Sequence, residues 1–392
     1  MLIGLIGKPN VGKSTFFKAC TLADILIANY PFATIKPNHG IGYVRVPCID
    51  SDFKTQCMPR TGFCKNHIRF VPVELMDVAG LVEGASQGKG LGNQFLDDLR
   101  QADAFLQIVD VSGTTDAEGK EGKGNPIVDV RMLENELDLW YLGILNKVWK
   151  TFSRQLKQTK ENFAKSVAKQ FSGLRVEEED VRDALIKLKY DSEKASEWND
   201  AELKSFARQL RILTKPMLIV ANKADKLGAK ENLEVLKKEF PDMAILPCSA
   251  DSELALREAT KVGLVEYTQG DKDFIILDKV NEKQRAALES IKKNVFSVFG
   301  TTGVQDILEH AVFVLLNHIA VFPAGASKLA DSKGNILPDC FLVPQGSTAL
   351  DFAFKLHTDL GKNFIKAINA KTKQTVGKDY ILKNRDGIEI IT

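Results

Sequence analysis

The sequence of 392 residues has no apolar run long enough to span a bilayer. Its longest apolar stretch, residues 311–322, is interrupted by Asn317 and His318. The apolar amino terminus leads directly into a glycine-containing loop. It lacks the basic residues that precede the apolar part of a secretory signal. From these absences we expect a cytoplasmic protein with no membrane partner, and we expect it to be a monomer.

A strong excess of either charge is also missing, because 53 basic residues face 51 acidic ones and the net charge is +2. The molecule as a whole is therefore not attracted to nucleic acid or to a membrane surface, and any basic surface must be local. Apolar residues make up 44% and charged residues 27% of the sequence, as in ordinary globular proteins. The length predicts two or three domains.

Cysteine is scarce, with six residues. Three stand alone and are interpreted as buried small apolar residues, namely Cys20, Cys248 and Cys340. The other three, Cys48, Cys57 and Cys64, share one short polar segment with His67. Three alternatives stay open for this segment: a loop with free thiols, a zinc site whose spacing matches no standard finger, or a Cys57–Cys64 disulfide.

A glycine-rich loop follows the first apolar segment and precedes a helical one. The loop has the pattern Gly-x-x-x-x-Gly-Lys-Ser from Gly7 to Ser14, and this strand–loop–helix context identifies a phosphate-binding P-loop. Backbone N–H groups of the loop surround the phosphates, Lys13 neutralises their charge, and Ser14 ligates Mg²⁺. The predicted nucleotide contacts in this loop are Pro9, Asn10, Val11, Gly12, Lys13, Ser14 and Thr15.

Two further segments complete the predicted phosphate and Mg²⁺ site. Asp77 follows an apolar strand, where its carboxylate holds a Mg²⁺-bound water, and the Gly80 N–H reaches the γ-phosphate. Thr34 lies between the P-loop and Asp77, in the position of a loop that closes over Mg²⁺. We assign Lys13, Thr34 and Gly80 to catalysis, and Ser14, Thr34 and Asp77 to Mg²⁺.

Two segments near residues 222 and 249 predict the base. Asn222-Lys223-Ala224-Asp225 follows a strand, and the Asp225 carboxylate can accept hydrogen bonds from the N1–H and 2-amino groups of guanine. Adenine offers neither donor, so an adenine nucleotide would leave this carboxylate unpaired. The backbone N–H groups of Ser249 and Ala250 follow another strand and are predicted to reach the guanine oxygen. Motifs in this order, each at a strand end, predict a GTP-binding protein.

The alternation of strands and helices predicts an α/β fold with a mostly parallel sheet. Strands are predicted at Leu2–Ile6, 71–76, 104–109, 217–220 and 245–248. Residues 1–125 and 214–312 form the nucleotide-binding domain, and 313–392 form a small α+β domain. Residues 126–213, between the two parts of the nucleotide-binding domain, are predicted to form a helical hairpin of the coiled-coil type. Apolar residues there recur every three or four positions from Leu133 to Phe171, as in one long helix. After Ala250 the chain is predicted to be helical through about Ala311.

The insert carries a strong local charge bias. Between residues 147 and 169 there is a single acid, Glu161, against seven basic residues: Lys147, Lys150, Arg154, Lys157, Lys160, Lys165 and Lys169. A solvated helix face ordinarily mixes both signs of charge. This bias suits a phosphate backbone and predicts contact with RNA or the ribosome.

The sequence resembles the Obg-type GTPases, and specifically the YchF branch in its archaeal form. Asn29–Gly40 is similar to the switch I of that group, and Gly80–Gly92 resembles its glycine-rich switch II. Gly334–Asp351, followed by Lys355–Gly361, looks like a TGS domain. The resemblance covers essentially the whole chain. It implies a G domain interrupted by a helical hairpin and closed by a TGS domain that occurs in RNA-linked proteins.

Three residues refine what the resemblance implies. Bacterial and eukaryotic YchF proteins carry glutamate in place of Asp225 and favour ATP, so we expect this chain to prefer GTP. Leu81 replaces the glutamine that orients water in Ras-like enzymes, so intrinsic hydrolysis should be slow. Asn10 resembles an asparagine that ligates K⁺ in some related GTPases and not in others. The predicted function is a slow Mg²⁺-dependent GTPase switch on the ribosome or RNA, alternating between GTP and GDP. The alternative is a nucleotide-stabilised scaffold whose hydrolysis is incidental.

Overall fold

The computed structural model describes residues 1–21, 38–78, 80, 84, 99–159, 162–325, 329–331 and 333–392. The chain divides into two compact units. Unit 1 comprises Met1–Ala19 and Leu75–Val304, and unit 2 comprises Cys20–Glu74 and Gln305–Thr392. The predicted Thr34 and Leu81 lie outside the described residues, as does most of each predicted switch segment.

The strands are β1 (Leu2–Ile6), β2 (His39–Pro47), β3 (Phe63–Lys65), β4 (Ile68–Asp77), β5 (Ala104–Asp110), β6 (Met217–Asn222), β7 (Ile245–Cys248), β8 (Val265–Glu266), β9 (Ile275–Ile276), β10 (His318–Pro323), β11 (Phe341–Pro344), β12 (Lys366–Asn369), β13 (Thr375–Val376) and β14 (Asp386–Ile391). The α-helices are α1 (Lys13–Thr21), α2 (Pro126–Thr159), α3 (Phe163–Gln170), α4 (Glu178–Leu188), α5 (Asp200–Thr214), α6 (Ala229–Glu239), α7 (Ala250–Lys261), α8 (Glu282–Ile291), α9 (Ser297–Phe299), α10 (Val304–Glu309), α11 (Ala349–Leu356) and α12 (Thr358–Lys362).

Unit 1 is built on a parallel sheet in which β1, β5, β6 and β7 are neighbours in that order. Leu5 of β1 lies opposite Leu106 of β5, which in turn lies opposite Leu218 of β6. Every residue of β1, β5 and β6 is buried, so both faces of the sheet are covered there. Parallel strands that are buried on both faces have nearly continuous apolar sequences. For this reason they could be predicted from the sequence. The α/β fold class is confirmed.

Helices α2 to α5 pack together and share one apolar core with the sheet residues Leu2, Phe105 and Met217. The prediction of one helix from Leu133 to Phe171 is wrong, because α2 ends at Thr159 and α3 begins at Phe163. Asn162 has an extended backbone and its side chain accepts a hydrogen bond from the Lys165 N–H. This cap starts a new helix while the apolar spacing continues. No helix within the described ranges combines the length and hydropathy that crossing a membrane requires.

The stretch from Ala250 to Ala311 is also less uniform than predicted. The short antiparallel pair β8–β9 interrupts it, and π-helical turns occur at Lys292–Phe296 and His310–Leu315. The sequence predicted helix throughout because the two strands have only two residues each and carry no alternating pattern of their own. The predicted domain boundaries stay predictions.

Unit 2 contains β2, β3, most of β4 and a second sheet with the order β11-β10-β14-β12-β13. Helix α11 packs on this sheet through Phe352, next to Val321 and Ile388. Strands β10 to β14 and helices α11 and α12 all lie within residues 313–392, for which α+β structure was predicted, whereas β2 was not predicted. All six cysteines are free thiols, so no disulfide joins Cys57 to Cys64.

Candidate nucleotide-binding site

The P-loop connects β1 to α1 and depends on two glycines with positive φ. At Gly7, with φ of 152°, an added Cβ would lie 2.4 Å from the Ile108 carbonyl oxygen of β5. At Gly12, with φ of 96°, it would lie 2.2 Å from Nδ2 of Asn222. Only glycine fits both the backbone conformation and the close approach of a neighbouring strand. The loop is therefore packed against the ends of β5 and β6.

Lys13 and Ser14 lie at the start of α1, where the helix dipole favours an anion. The Lys13 side chain is buried, and its Nζ donates to the Lys8 carbonyl oxygen at 2.7 Å. Burial lowers the pKa of Lys13 to about 8, although the charge of Asp77 opposes the shift. The exposed Ser14 hydroxyl donates to Asp77 Oδ2 at 2.8 Å. A hydroxyl and a carboxylate at this distance are oxygen donors of the type that Mg²⁺ prefers.

The loop after β5, residues 111–125, also contacts the P-loop. The sequence did not predict that this loop would contribute to the site. The buried Lys8 donates to the Thr115 carbonyl oxygen at 2.7 Å and pairs with Asp129 of α2 at 2.7 Å. Asn10, with φ of 61°, donates from Nδ2 to the Gly119 carbonyl oxygen at 2.7 Å. The amide nitrogen of Asn10 is thus hydrogen-bonded within the protein. Binding of K⁺ by Asn10 stays a prediction.

Asn222 fastens two loops of the site to each other. Its Nδ2 donates to the Val11 carbonyl oxygen of the P-loop at 2.8 Å. Its Oδ1 accepts from the Ala250 backbone N–H at 3.1 Å. The side chain is buried, so both contacts are shielded from water. The structure therefore gives Asn222 a bracing role between the P-loop and the loop after β7.

Lys223 and the buried Asp110 form an ion pair that the sequence did not indicate. Lys223, with φ of 62°, places Nζ 2.7 Å from Asp110 Oδ2. Although burial opposes the shift, hydrogen bonds from Lys223 and from hydroxyl groups nearby hold the pKa of Asp110 below its ordinary value. Asp110 is the last residue of β5, and a carboxylate at the carboxyl end of a parallel strand was the available signal.

Asp225 differs from its neighbours because one of its oxygens is not used. Its Oδ2 lies 3.3 Å from Nζ of Lys226, whose side chain is 54% exposed. Its Oδ1 is buried and has no hydrogen-bond partner among the residues that the structure describes. A buried carboxylate oxygen without a donor is costly and is typical of a site that receives a ligand. Contact between this carboxylate and the N1–H and amino donors of guanine stays a prediction.

Ser249 and Ala250 are placed beside Asn222, but their N–H groups are engaged differently from the prediction. The Ser249 N–H donates to the Thr302 carbonyl oxygen at 2.9 Å, and the Ala250 N–H donates to Asn222. Contact between these N–H groups and a guanine oxygen stays a prediction. Ser249 also donates its hydroxyl to Ser252, which fixes the start of α7.

The other predicted residues lie around the same loop. Gly80 approaches Pro9 so closely that an added Cβ would be 2.8 Å from the Pro9 nitrogen. Val11 is fully buried, and Thr15 is half-buried in the first turn of α1. Of the basic residues predicted to contact RNA, the structure describes the side chains of three, and all three are exposed: Lys147, Lys165 and Lys169.

Three family profiles match successive parts of the chain. Residues 2–136 match a 50S ribosome-binding GTPase, and residues 220–325 match the G4 motif-containing domain of the YGR210-like Obg-like GTPases. Residues 328–392 match the TGS domain. The order of these profiles along the chain is the order of motifs that the sequence predicted.

Several relatives match the chain over nearly its whole length. An uncharacterized GTP-binding protein of Methanocaldococcus jannaschii is 48% identical, over 100% of this chain and 99% of that protein. The ribosome-binding ATPase YchF of Bacillus subtilis is 32% identical, over 93% of this chain and 87% of that protein. The crystal structure of a GTP-binding protein from Pyrococcus horikoshii is 38% identical, covers 100% of both chains and has a TM-score of 0.80. The chain therefore belongs to the Obg-like GTPase family of the YchF type, with a P-loop G domain and a carboxyl-terminal TGS domain.

Proposed function

We propose that this protein binds GTP in preference to ATP, hydrolyses it slowly with Mg²⁺, and acts as a nucleotide-dependent switch on the ribosome or its RNA. The observation that carries the base preference is the buried Asp225 Oδ1, which lacks a donor among the described residues. Guanine supplies donors to a carboxylate at this position and adenine does not, so ATP would leave a buried charge unpaired.

The same chain provides the groups that hold the phosphates. Ser14 and Asp77 supply oxygen atoms for Mg²⁺, which when bound neutralises charge on the phosphates. Lys13 exchanges its bond to the Lys8 carbonyl oxygen for a phosphate oxygen. Asn222 keeps the P-loop and the loop after β7 in place while these contacts form. Leu81 offers no polar atom to orient water, so hydrolysis is slow.

The proposed ribosome contact is supported by two observations. Bacterial relatives such as that of Bacillus subtilis are named ribosome-binding ATPases. The basic bias of residues 147–169 gives this chain a local surface suited to a phosphate backbone. The exposed Lys147, Lys165 and Lys169 are available for such contact.

Isothermal titration with GTP, GDP and ATP tests the base preference. Replacing Asp225 with Asn exchanges one acceptor for a donor, and we expect GTP and GDP to bind about 100-fold more weakly, as two charge-assisted hydrogen bonds are lost. The matched control is Asp242→Asn, at an exposed aspartate outside the site, which should bind as the parent does. Equal affinity of the parent for ATP and GTP would refute the proposal.

Turnover assays and co-sedimentation test the switch. We expect Mg²⁺-dependent GTP turnover to rise when ribosomes are added, and an unchanged rate would favour a scaffold whose hydrolysis is incidental. Reversing Lys150, Arg154 and Lys157 to Glu should reduce co-sedimentation with ribosomes, steeply so at low salt. The control makes the same charge change on the exposed face of α6, at Lys230, Lys237 and Lys238. Equal loss in both triple variants would contradict a specific basic contact.

A further inference from the structure

Three cysteines of unit 2 are brought together by a tight turn and by the short 3-10 helix Ile49–Phe53. The β3–β4 hairpin turns at Asn66 and His67, both with positive φ, as a two-residue type I′ turn requires. The Cys48 N–H donates to the His67 carbonyl oxygen at 2.7 Å, which ties the segment after β2 to this turn. Cys64 lies on β3 beside it. Chain segments separated by up to 16 positions thus place their thiols at one point.

The ligand atoms of this cysteine cluster have the spacing of a tetrahedral metal site. The Sγ atoms of Cys48 and Cys57 are 3.6 Å apart, and Cys64 Sγ is 3.9 Å from Asp50 Oδ2. All four ligand atoms lie within 4.8 Å of one another. Tetrahedral Zn²⁺ with Zn–S bonds of about 2.3 Å would separate two thiolates by about 3.8 Å. The observed separations approach that geometry without any ion to impose it.

Asp50 completes the set of four and is itself held in place. Its side chain is fully buried, and Oδ2 accepts from the Cys57 N–H at 3.1 Å. Oδ1 lies 2.9 Å from Nδ1 of His67, whose side chain is 49% exposed. A ligand carboxylate fixed by a second hydrogen-bonding group is a regular feature of protein metal sites. The arrangement leaves Oδ2 directed toward the sulfur atoms.

Arg69 is a positively charged neighbour of the cluster that pairs with no carboxylate in the described part of the chain. Its side chain is fully buried, and its guanidinium donates to the carbonyl oxygens of Leu337 and Pro338. No carboxylate among the described residues forms an ion pair with it, and the side chains that interact electrostatically with it are those of Cys57, Cys340 and Cys48. A buried cation without a counter-charge is costly. When a metal ion is bound, cysteine ligands are thiolates, and their negative charge would balance that of Arg69.

We propose that Cys48, Cys57, Cys64 and Asp50 bind one Zn²⁺ ion, with His67 positioning Asp50. Three thiolates and one carboxylate form a closed set of four ligands, as in structural zinc sites, and thiolate ligands favour Zn²⁺ over Mg²⁺ or Ca²⁺. On binding, the ion replaces the thiol protons, which pass to solvent. None of these residues belongs to the predicted nucleotide-binding set.

The proposed ion would stabilise a junction inside unit 2. Directly after Cys57, the Met58 N–H donates to the Ile336 carbonyl oxygen at 2.7 Å. The Arg60 N–H donates to the Pro338 carbonyl oxygen at 2.9 Å. The zinc-binding segment therefore carries the backbone contacts through which residues 58–60 meet the TGS domain. Its role is structural, because all four ligand positions are filled by the protein.

The first test measures metal content in the full-length protein. After gel filtration in the absence of chelator, mass spectrometry of the metals should find about one Zn per chain, as one four-ligand site requires. The double variant Cys57→Ser/Cys64→Ser should lose it. The matched control, Cys20→Ser/Cys248→Ser, removes two buried thiols outside the cluster and should keep its zinc. Absence of zinc from the parent, or equal zinc in all three proteins, would overturn the proposal.

A second test does not depend on whether a variant folds. The parent protein is stripped with a chelator under reducing conditions and titrated with Co²⁺. We expect sulfur-to-cobalt charge-transfer absorption and intense tetrahedral d–d bands that saturate at one equivalent and disappear when Zn²⁺ is added. Weak octahedral bands, or a mass decrease showing that two of the cysteines form a disulfide instead, would contradict zinc binding.

Discussion

The nucleotide-binding residues of unit 1 and the cysteine cluster of unit 2 balance buried charge in different ways. In unit 1, Lys8 pairs with Asp129 and Lys223 with Asp110, each at 2.7 Å. In unit 2, the fully buried Arg69 meets carbonyl oxygens and sulfur atoms, and no described carboxylate pairs with it. These two lysines of unit 1 are neutralised by carboxylates of the protein, whereas in unit 2 we propose that metal-bound thiolates balance the charge of Arg69.

This difference separates a preformed site from one completed by its ligand. The nucleotide-binding loops are held by protein–protein hydrogen bonds, and the atoms left over, such as Asp225 Oδ1, are those that a nucleotide would use. In the cysteine cluster, three thiolates and a carboxylate together would repel one another strongly without a bound cation. We therefore expect unit 1 to keep its site geometry without nucleotide and the cluster to depend on its metal.

The largest expected effect comes from Asn222→Ala, which removes the two hydrogen bonds that the Asn222 side chain makes in unit 1. The substitution leaves the Val11 carbonyl and the Ala250 N–H buried without partners, at a cost of about 1–3 kcal/mol each. We expect the free energy of unfolding to fall by about 3 kcal/mol and GDP to bind about 100-fold more weakly. Urea unfolding followed by tryptophan fluorescence measures the first, because all three tryptophans lie in unit 1.

The matched control for this brace is Asn232→Ala. Asn232 also donates from Nδ2 to a backbone carbonyl oxygen, that of Val111 at 2.9 Å, but it does not touch the P-loop. We expect a smaller loss of stability and unchanged GDP binding. If Asn222→Ala bound GDP as tightly as this control, the nucleotide site would not be held by its own hydrogen bonds, and the contrast with unit 2 would fail.

The sequence predicts the two sites to different extents because they are encoded over different distances. The P-loop and the segment around Asp225 are contiguous motifs next to apolar strands, so both the strands and the residues could be located. The Lys223–Asp110 pair could not, because it joins residues 113 positions apart through strand pairing. The cysteine cluster depends on a turn at Asn66 and His67, and the sequence did not predict the positive φ values of these two residues. Its spacing alone left zinc, disulfide and free thiols open.

A second prediction, of intermediate size, uses the pKa of Lys13. Burial lowers that pKa to about 8 in the nucleotide-free protein, against the opposing charge of Asp77. Phosphate contact favours the charged amine, so binding above pH 8 requires uptake of a proton. GDP affinity should be constant below pH 8 and fall by up to about tenfold per pH unit above it. Isothermal titration between pH 7 and 9, in buffers of different ionisation enthalpy, measures both affinity and proton uptake.

Lys13→Arg is the control for this titration. The guanidinium keeps its charge through this range, so the variant should bind more weakly but without the decline between pH 8 and 9. Deprotonation of the guanine base would change the GDP affinity of both proteins equally. The comparison therefore distinguishes it from deprotonation of Lys13. A parent protein whose affinity is independent of pH would show that Lys13 is already charged before the phosphates arrive.

The smallest expected effect concerns Lys226, the exposed partner of Asp225. The pair is separated by 3.3 Å with the lysine side chain 54% exposed, so it contributes about 0–1 kcal/mol. Lys226→Ala should change the free energy of unfolding by less than about 0.5 kcal/mol and GTP affinity by no more than about twofold. Urea unfolding and isothermal titration measure the two quantities. If GTP affinity instead fell as far as in Asp225→Asn, Asp225 would be oriented by a surface ion pair, and unit 1 would not hold its base-binding carboxylate through its interior alone.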